Sequence, residues 1–167
     1  MAVVALKSTP ITNRDATPSV LNEGRMSGGV LRHARGVVTT GAADTTASTY
    51  RFFQLPSNAL LVRLSLTTDG AGTVGAMDVG IYRTTADGGA VVSAGLFTTA
   101  KVLTTPLVSF DALRESTTIA IAASDVKPLW QWAGLTADPR VVYDVVGTLT
   151  ATVDAAHNML LECDYTL

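Results

Sequence analysis

Side chains suited to covalent catalysis are few in this sequence. It contains two histidines, His33 and His157, and one cysteine, Cys163. A catalytic serine often lies in a Gly-x-Ser-x-Gly turn, which the chain lacks. Cys163 alternates with apolar residues, and a buried thiol in apolar surroundings is inert. The sequence therefore predicts a packing role for Cys163, a strand surface for His33, a solvated turn for His157, and no enzymatic activity.

Metal and phosphate ligands are equally sparse. Asp69 and Asp87 lie in glycine-rich turns, but a calcium loop needs several closely spaced oxygen ligands, which neither turn supplies. One cysteine cannot form a zinc cluster of thiolates. Residues 70–75 match Gly-x-Gly-x-x-Gly, yet the dinucleotide fingerprint requires a following helix, and here a strand period follows. We therefore expect no metal and no cofactor.

Trp130 and Trp132 are the aromatic residues that could mark a ligand site. Exposed tryptophans stack on sugar rings, so one interpretation is a carbohydrate site. The other is that Trp130 plugs the open end of a β-sandwich. Two residues apart on a helix, the rings point in different directions, so one could plug while the other contacts a partner. We favour a plug or a subunit contact.

Composition indicates one strand-rich domain. The 167 residues include 24 Thr and 19 Val, which fit a pleated surface, but only three Lys and three Glu. So little surface charge suits a protein packed against copies of itself or other subunits, although an extracellular β-protein outside any assembly could look similar. The net charge of −2 gives no support to nucleic-acid binding. No apolar run is long enough to span a membrane, and we expect no export signal.

Alternation of apolar and polar residues predicts eight or nine short strands. They cover residues 30–40, 49–55, 59–68, 76–83, 90–97, 101–110, 117–123, 143–153 and 158–166. Pro106 should interrupt the sixth, and a short helix is predicted at 127–134, capped by Asp125 and ended by Gly134. Without helices for parallel crossovers, the fold class is all-β: an antiparallel two-sheet sandwich, with a jelly roll favoured over an immunoglobulin-like arrangement.

Residues 1–29 differ from the predicted β-sandwich domain of residues 30–167. Prolines, glycines and turn-forming residues interrupt them, which predicts an extended N-terminal arm with little regular structure. Residues 1–36 carry five Lys or Arg against two acids, a net charge of +3, whereas the remainder carries seven against twelve, a net charge of −5. Such an arm could dock on an acidic neighbour. The candidate interface residues are Lys7, Ile11, Arg14, Val20, Leu21, Arg25, Arg32, Arg35 and Trp132.

Several local patterns together resemble the small head decoration, or cement, proteins of tailed bacteriophages. They span nearly the whole chain: residues 11–15 (ITNRD), 52–59 with a Leu-Pro-Ser-Asn turn, 78–82 (DVGIY) before an Asp-Gly-Gly turn, 129–139 (LWQWAGLTADP), and strands at 143–144 and 162–165.

The resemblance implies a jelly-roll protein on the outer surface of a virion, synthesised in the host cytoplasm. Its partners would be the major capsid protein and neighbouring copies, as a dimer or trimer, and it would stabilise the shell against the pressure of the packaged DNA. Neither nucleic acid nor membrane is expected as a partner. The alternative is a tail, baseplate or fibre-associated sandwich that recognises a host glycan.

Overall fold

A computed structural model describes residues 6–22, 24, 29–70, 72–114 and 127–167. The strands are β1 (Arg32–Thr39), β2 (Thr49–Pro56), β3 (Leu60–Thr68), β4 (Ala76–Arg83), β5 (Val91–Val102), β6 (Leu107–Asp111), β7 (Val142–Ala151) and β8 (Asn158–Thr166). Two short helices, α1 (Thr9–Asp15) and α2 (Leu129–Trp132), and a 3-10 turn (Thr85–Asp87) accompany them.

The strands form two four-stranded antiparallel sheets. The first sheet has the order β1-β8-β3-β6 and the second has the order β2-β7-β4-β5. Among the described strands, β4 and β5 are the one consecutive pair within a sheet, and all other connections cross between sheets. This strand order is that of an eight-stranded jelly roll. The predicted antiparallel two-sheet sandwich is therefore confirmed.

Alternating side chains fill the space between the sheets. Met159, Leu161 and Cys163 of β8 are fully buried, so the predicted inward position of Cys163 is confirmed. Strict alternation along β3 would bury Val62 together with Leu64 and Leu66, but Val62 is 44% exposed. The reason is a shift in the pairing of β3 with β8 at this residue, because a bulge turns the extra side chain out of the alternation.

Most strand boundaries lie close to the predicted ones, and residues 76–83 and 158–166 coincide with β4 and β8. The predicted strands at 90–97 and 101–110 differ most, because β5 continues to Val102 and β6 begins only after Pro106. The predicted helix at 127–134 is shortened to α2, whose N-cap is Pro128. The predicted strand at 117–123 and the capping residue Asp125 lie outside the described residues.

The segment predicted to be an extended arm contains the seven-residue helix α1, which was not expected. Pro10 lies in its first turn, where a missing backbone N–H costs no helical hydrogen bond. The Thr12 hydroxyl donates to the Ser8 carbonyl over a distance of 3.0 Å. Local bonds of this kind stabilise one or two helical turns between the prolines.

The long edges of the sandwich differ. At the β1–β2 edge, the backbone of Gly36 lies so close to Phe52 that a Cβ on Gly36 would be 2.2 Å from the Phe52 carbonyl oxygen. At the β5–β6 edge, the Lys101 ammonium lies 3.3 Å from the centre of the Phe110 ring, a cation–π contact. The sheets thus meet through backbone on one side and through long side chains on the other.

Candidate interface surfaces

The arm presents apolar side chains to solvent. Leu6 is 90% exposed and Leu21 is 94% exposed, while Ile11 and Val20 are exposed at 36% and 54%. No residue of α1 is buried. Exposed leucines are common singly, but here four apolar side chains are exposed within one short segment.

Polar contacts fold the arm on itself. Asp15 binds both Lys7, at 2.9 Å from Nζ, and Arg14, at 2.8 Å from Nε. Hydrogen bonds from Arg14 and Lys7 lower the pKa of the Asp15 carboxyl. The Asn13 amide donates to the Asn22 side-chain oxygen at 2.8 Å, and the Val20 N–H donates to the Asn13 carbonyl at 2.9 Å. The arm is therefore pre-shaped, and one carboxylate partly neutralises its two described cations.

The other predicted interface residues lie outside the described part of the arm. Arg32 and Arg35 are exposed on β1, and Arg35 Nε is 4.0 Å from Glu162 Oε1 on β8. Arg25 lies outside the described residues. Trp132 lies at the end of the sandwich where β2 meets β3, and its ring packs edge-on against Phe97, 6.3 Å between centroids.

The packing of Trp132 settles which tryptophan faces inward. Trp132 contacts the core, whereas the sequence pointed to Trp130 as the plug. Trp130 is half-buried, and its backbone N–H donates to the Ser57 carbonyl. Residues two positions apart on a helix point in different directions, and this holds for Trp130 and Trp132 on α2. Of the two tryptophans, Trp132 is thus the one that packs against the core.

The outer face of the first sheet carries a charged cluster that sequence reasoning missed. Asp164 on β8 lies between β1 and β3, with its Oδ1 2.7 Å from His33 Nδ1 and its Oδ2 accepting from Arg63 Nε at 3.0 Å. The hydrogen bond from His33, together with the nearby Arg63 charge, lowers the pKa of the Asp164 carboxyl. Alternation along 158–166 places Asp164 opposite the core, but only strand order shows its partners.

The outer face of the second sheet is covered by its own side chains. Arg51 on β2 lies across it and pairs with the buried Asp144 of β7, donates to the Arg83 carbonyl at 2.9 Å, and stacks on the Tyr82 ring. The Tyr82 hydroxyl in turn shares a 2.6 Å hydrogen bond with Thr148. Of the two outer faces, that of the first sheet is the more open to a partner.

Carboxylates brace the loops at the end of the sandwich where β1 leads to β2. Asp154 accepts from the Thr73 hydroxyl and backbone N–H, and Asp69 accepts from the side-chain amide and backbone N–H of Asn158. These hydrogen bonds, led by the side-chain donor in each case, lower the pKa of both carboxyls. Asp44 is held in the same way by Tyr50 and the Gly41 N–H.

His157 lies beneath these loops and is 2% exposed, so its predicted position in a solvated turn was wrong. Its Nδ1 is 2.7 Å from the Thr40 hydroxyl, and its backbone N–H donates to the same oxygen at 3.2 Å. The sequence places these two residues 117 positions apart, and only the β1–β8 pairing joins them. His33, by contrast, is on the strand surface as predicted.

Acid should loosen the braced loops. A carboxyl whose pKa is lowered by folding stabilises the fold above its unfolded pKa, near 3.9, and loses that contribution as pH falls through the folded value. We expect Asp154→Asn to lower the melting temperature by a few degrees at pH 7 and to leave it close to wild type near pH 2. Asp87→Asn, in the loop between β4 and β5 at the other end of the sandwich, is the control. An equal decrease in the melting temperature of the two variants at pH 7 would contradict the prediction.

The cysteine and the two histidines occupy different environments: Cys163 is in the core, His33 is on the outer face of the first sheet, and His157 is buried beneath the loops. Burial raises the pKa of the Cys163 thiol to about 12, so it remains protonated and unreactive at neutral pH. Within the described ranges, no three His, Cys, Asp or Glu side chains are close enough to hold one metal ion. No helix among those residues is both long and apolar enough to cross a membrane.

Comparison with known proteins gives a likeness of fold. No protein-family model matches the chain, and no curated protein does. A chain of the cyanophage Pam1 capsid asymmetric unit superposes with a TM-score of 0.51 at 14% identity, covering 89% of this chain and 92% of that one. A chain of the acidic stable capsid structure of Helicobacter pylori bacteriophage KHP30 gives a TM-score of 0.43 at 17% identity, over 83% and 89%. The first shows that the sandwich is shared; the second lies below the level at which a common fold follows.

Proposed function

We propose that this chain is a structural virion protein that decorates and stabilises the outside of a bacteriophage capsid. It binds the major capsid protein and neighbouring copies, and it acts without catalysis or a cofactor. The two-sheet fold shared with a chain of a cyanophage capsid asymmetric unit supports this proposal. The sequence patterns that resemble phage decoration proteins support it independently.

The observation that carries the proposal is the exposed apolar surface of the arm. Leu6 and Leu21 are almost wholly in contact with water. Covering apolar surface contributes about 25 cal/mol per Å², so a partner that buries both side chains gains a few kcal/mol. A pre-shaped arm loses less conformational entropy on docking than a disordered one, which adds to the affinity.

The distribution of charge along the chain also supports a docking role for the arm. Residues 1–36 are basic and the remainder is acidic. We propose that residues 1–29 form the gripping arm and that residues 30–167 form the body, so that the arm of one subunit docks on an acidic neighbour. Modest affinity at each contact is sufficient, because a symmetric shell repeats it many times.

Co-sedimentation of the purified protein with undecorated phage heads tests the proposal. We expect binding at micromolar concentration, and we expect deletion of residues 1–29 to raise the dissociation constant at least about tenfold, a loss of about 1.4 kcal/mol. No binding of the full chain would refute the decoration role. Unchanged binding after the deletion would remove the arm from it.

A matched pair of substitutions separates the arm's apolar contacts from a general loss of apolar surface. Leu6→Ser with Leu21→Ser should weaken head binding, whereas Val91→Ser, at a 59% exposed valine of β5, should not. Binding to a glycan array that is lost in Trp130→Ala would instead favour a tail or fibre-associated glycan-binding module.

A further inference from the structure

Four side chains form a row across the outer face of the first sheet. Val37 of β1 pairs with Leu160 of β8, and Leu160 pairs with Thr67 of β3. On β6, the residues opposite Thr67 are Val108 and Ser109, between the paired positions Leu66–Phe110 and Thr68–Leu107. These contacts cannot be seen in the sequence, because the row runs perpendicular to the strands.

The row is apolar and open. Val37 is 58% exposed and Val108 is 83% exposed, with Leu160 and Thr67 half-buried between them. The Thr67 hydroxyl already accepts the Ser109 N–H at 3.1 Å, so this residue's polar group is occupied. Single exposed valines are ordinary on a protein surface, but here two of them lie at the edges of a continuous row that Leu160 and Thr67 complete, and a continuous row of this kind is typical of a contact surface.

Charges of both signs lie beside this apolar row. The next row carries Arg35 on β1, Glu162 on β8 and Asp111 on β6, and the row beyond it carries Asp164 on β8 and Arg63 on β3. The Arg35 side chain is 59% exposed and 4.0 Å from Glu162, so it is loosely held. The Asp111 side chain is 41% exposed; its Oδ1 accepts the Leu113 and Arg114 N–H groups, and its Oδ2 lies 3.8 Å from Arg114 Nε of the same chain.

This pattern is complementary to itself. If a second copy is turned by a two-fold axis parallel to the strands, its β6 lies over β1 and its β3 lies over β8. Arg35 then faces Asp111 of the second copy, and the Asp164–Arg63 pair of one copy faces the Arg63–Asp164 pair of the other, so opposite charges meet while each group keeps its partner within its own chain. The apolar row meets its own counterpart, with Val37 over Val108. An isologous contact requires a surface that matches itself in this way.

We propose that the outer face of the first sheet is a self-association surface on which a second copy packs face to face across this axis. With strands about 4.8 Å apart and about 3.3 Å per residue, the contact covers about 450 Å² on each copy. The total, about 900 Å², falls below the roughly 1,200 Å² of stable specific interfaces, so the dimer is weak in solution and strengthened by high local concentration. The alternation of charge on this face matches that of a second copy of the same face, which makes a second copy the occupant.

Sedimentation equilibrium of the full chain, up to about 1 mM, tests the surface. Val37→Asp and Val108→Asp should each raise the dimer dissociation constant at least about tenfold, because each buries an unpaired charge. Val91→Asp is the matched control, since Val91 is 59% exposed on the other sheet. A wild-type chain that stays monomeric, or equal effects of Val37→Asp and Val91→Asp, would overturn the proposal.

Cross-linking tests the axis. Stacked sheets lie about 10 Å apart, so a bismaleimide of that reach should join a Val37→Cys chain to a Val108→Cys chain in a mixture. The buried Cys163 should not react. A dominant product joining two Val37→Cys chains would overturn the two-fold arrangement. Loss of association on deleting residues 1–29, with no effect of Val37→Asp, would make the arm the occupant. Head binding, measured in parallel, stands or falls separately from self-association.

Discussion

Gly80→Ala should destabilise the sandwich by about 3 kcal/mol, the upper part of the range for overpacked cores. Gly80 lies on β4, and a Cβ there would be 1.9 Å from the Ser93 carbonyl oxygen and 2.3 Å from the Ala94 carbonyl oxygen of β5. Both are backbone atoms, so no side-chain rotation can relieve the clash. The β4–β5 pairing would have to open, which urea unfolding monitored by circular dichroism would detect as a lower midpoint.

Gly24→Ala is the control for that substitution. Apart from its neighbours in the chain, no heavy atom of the described residues lies within 4 Å of a Cβ at Gly24, so the free energy of unfolding of Gly24→Ala should change by less than about 0.5 kcal/mol. If the two variants were equally stable, β5 would not pass over Gly80 as closely as described. At temperatures where Gly80→Ala is folded, its binding to phage heads should resemble that of the wild type.

Asp144→Ala should lower the free energy of unfolding by about 2–3 kcal/mol. Breaking a fully buried ion pair costs roughly 3–5 kcal/mol, and the loss is smaller here because Arg51 retains some access to solvent. The Asp144 side chain is 8% exposed and that of Arg51 is 32% exposed. Removing the carboxylate leaves the guanidinium with its bonds to the Arg83 and Gly89 carbonyls but without a counter-charge. Thermal unfolding at low and high salt would measure the loss.

Asp87→Ala is the comparison for Asp144→Ala. Asp87 pairs with Arg83 at 3.1 Å, but its side chain is 57% exposed, so the expected change is within about 0.5 kcal/mol. High salt should leave the Asp144→Ala deficit largely in place, because buried pairs are screened little. A deficit that vanished with salt would show that the Arg51–Asp144 pair is solvated.

The sequence by itself was sufficient for the class of fold and for the strands with a clean alternation. β4 and β8 were predictable to the residue, and so was the inward position of Cys163, because side chains alternate between the faces of any strand. The exposed bulge at Val62 was not predictable. It depends on how β3 pairs with β8, and pairing partners lie far apart in the chain.

Of the candidate interface, the sequence identified the arm but not its shape. Prolines and glycines marked residues 1–29 as different, and the basic residues were visible in the composition. The helix α1 and the pairing of Lys7 and Arg14 with Asp15 depend on side-chain hydrogen bonds over a few residues. Local side-chain hydrogen bonds of this kind shift the balance between a helix and a turn by small free energies. Helix propensity alone therefore does not predict which of the two forms.

The open face of the first sheet was decided by the tertiary structure alone. Alternation within a strand predicts which of its residues share a face, and so it groups Val37, Leu160 and Thr67 each with the residues two positions away. It does not show which strands lie side by side. The order β1-β8-β3-β6 places residues 123 positions apart in direct contact, and it does so because six of the connections cross between sheets. Where a strand alternates without a bulge, local sequence determines which way a side chain points, whereas only the packed sheet determines which side chains lie beside it.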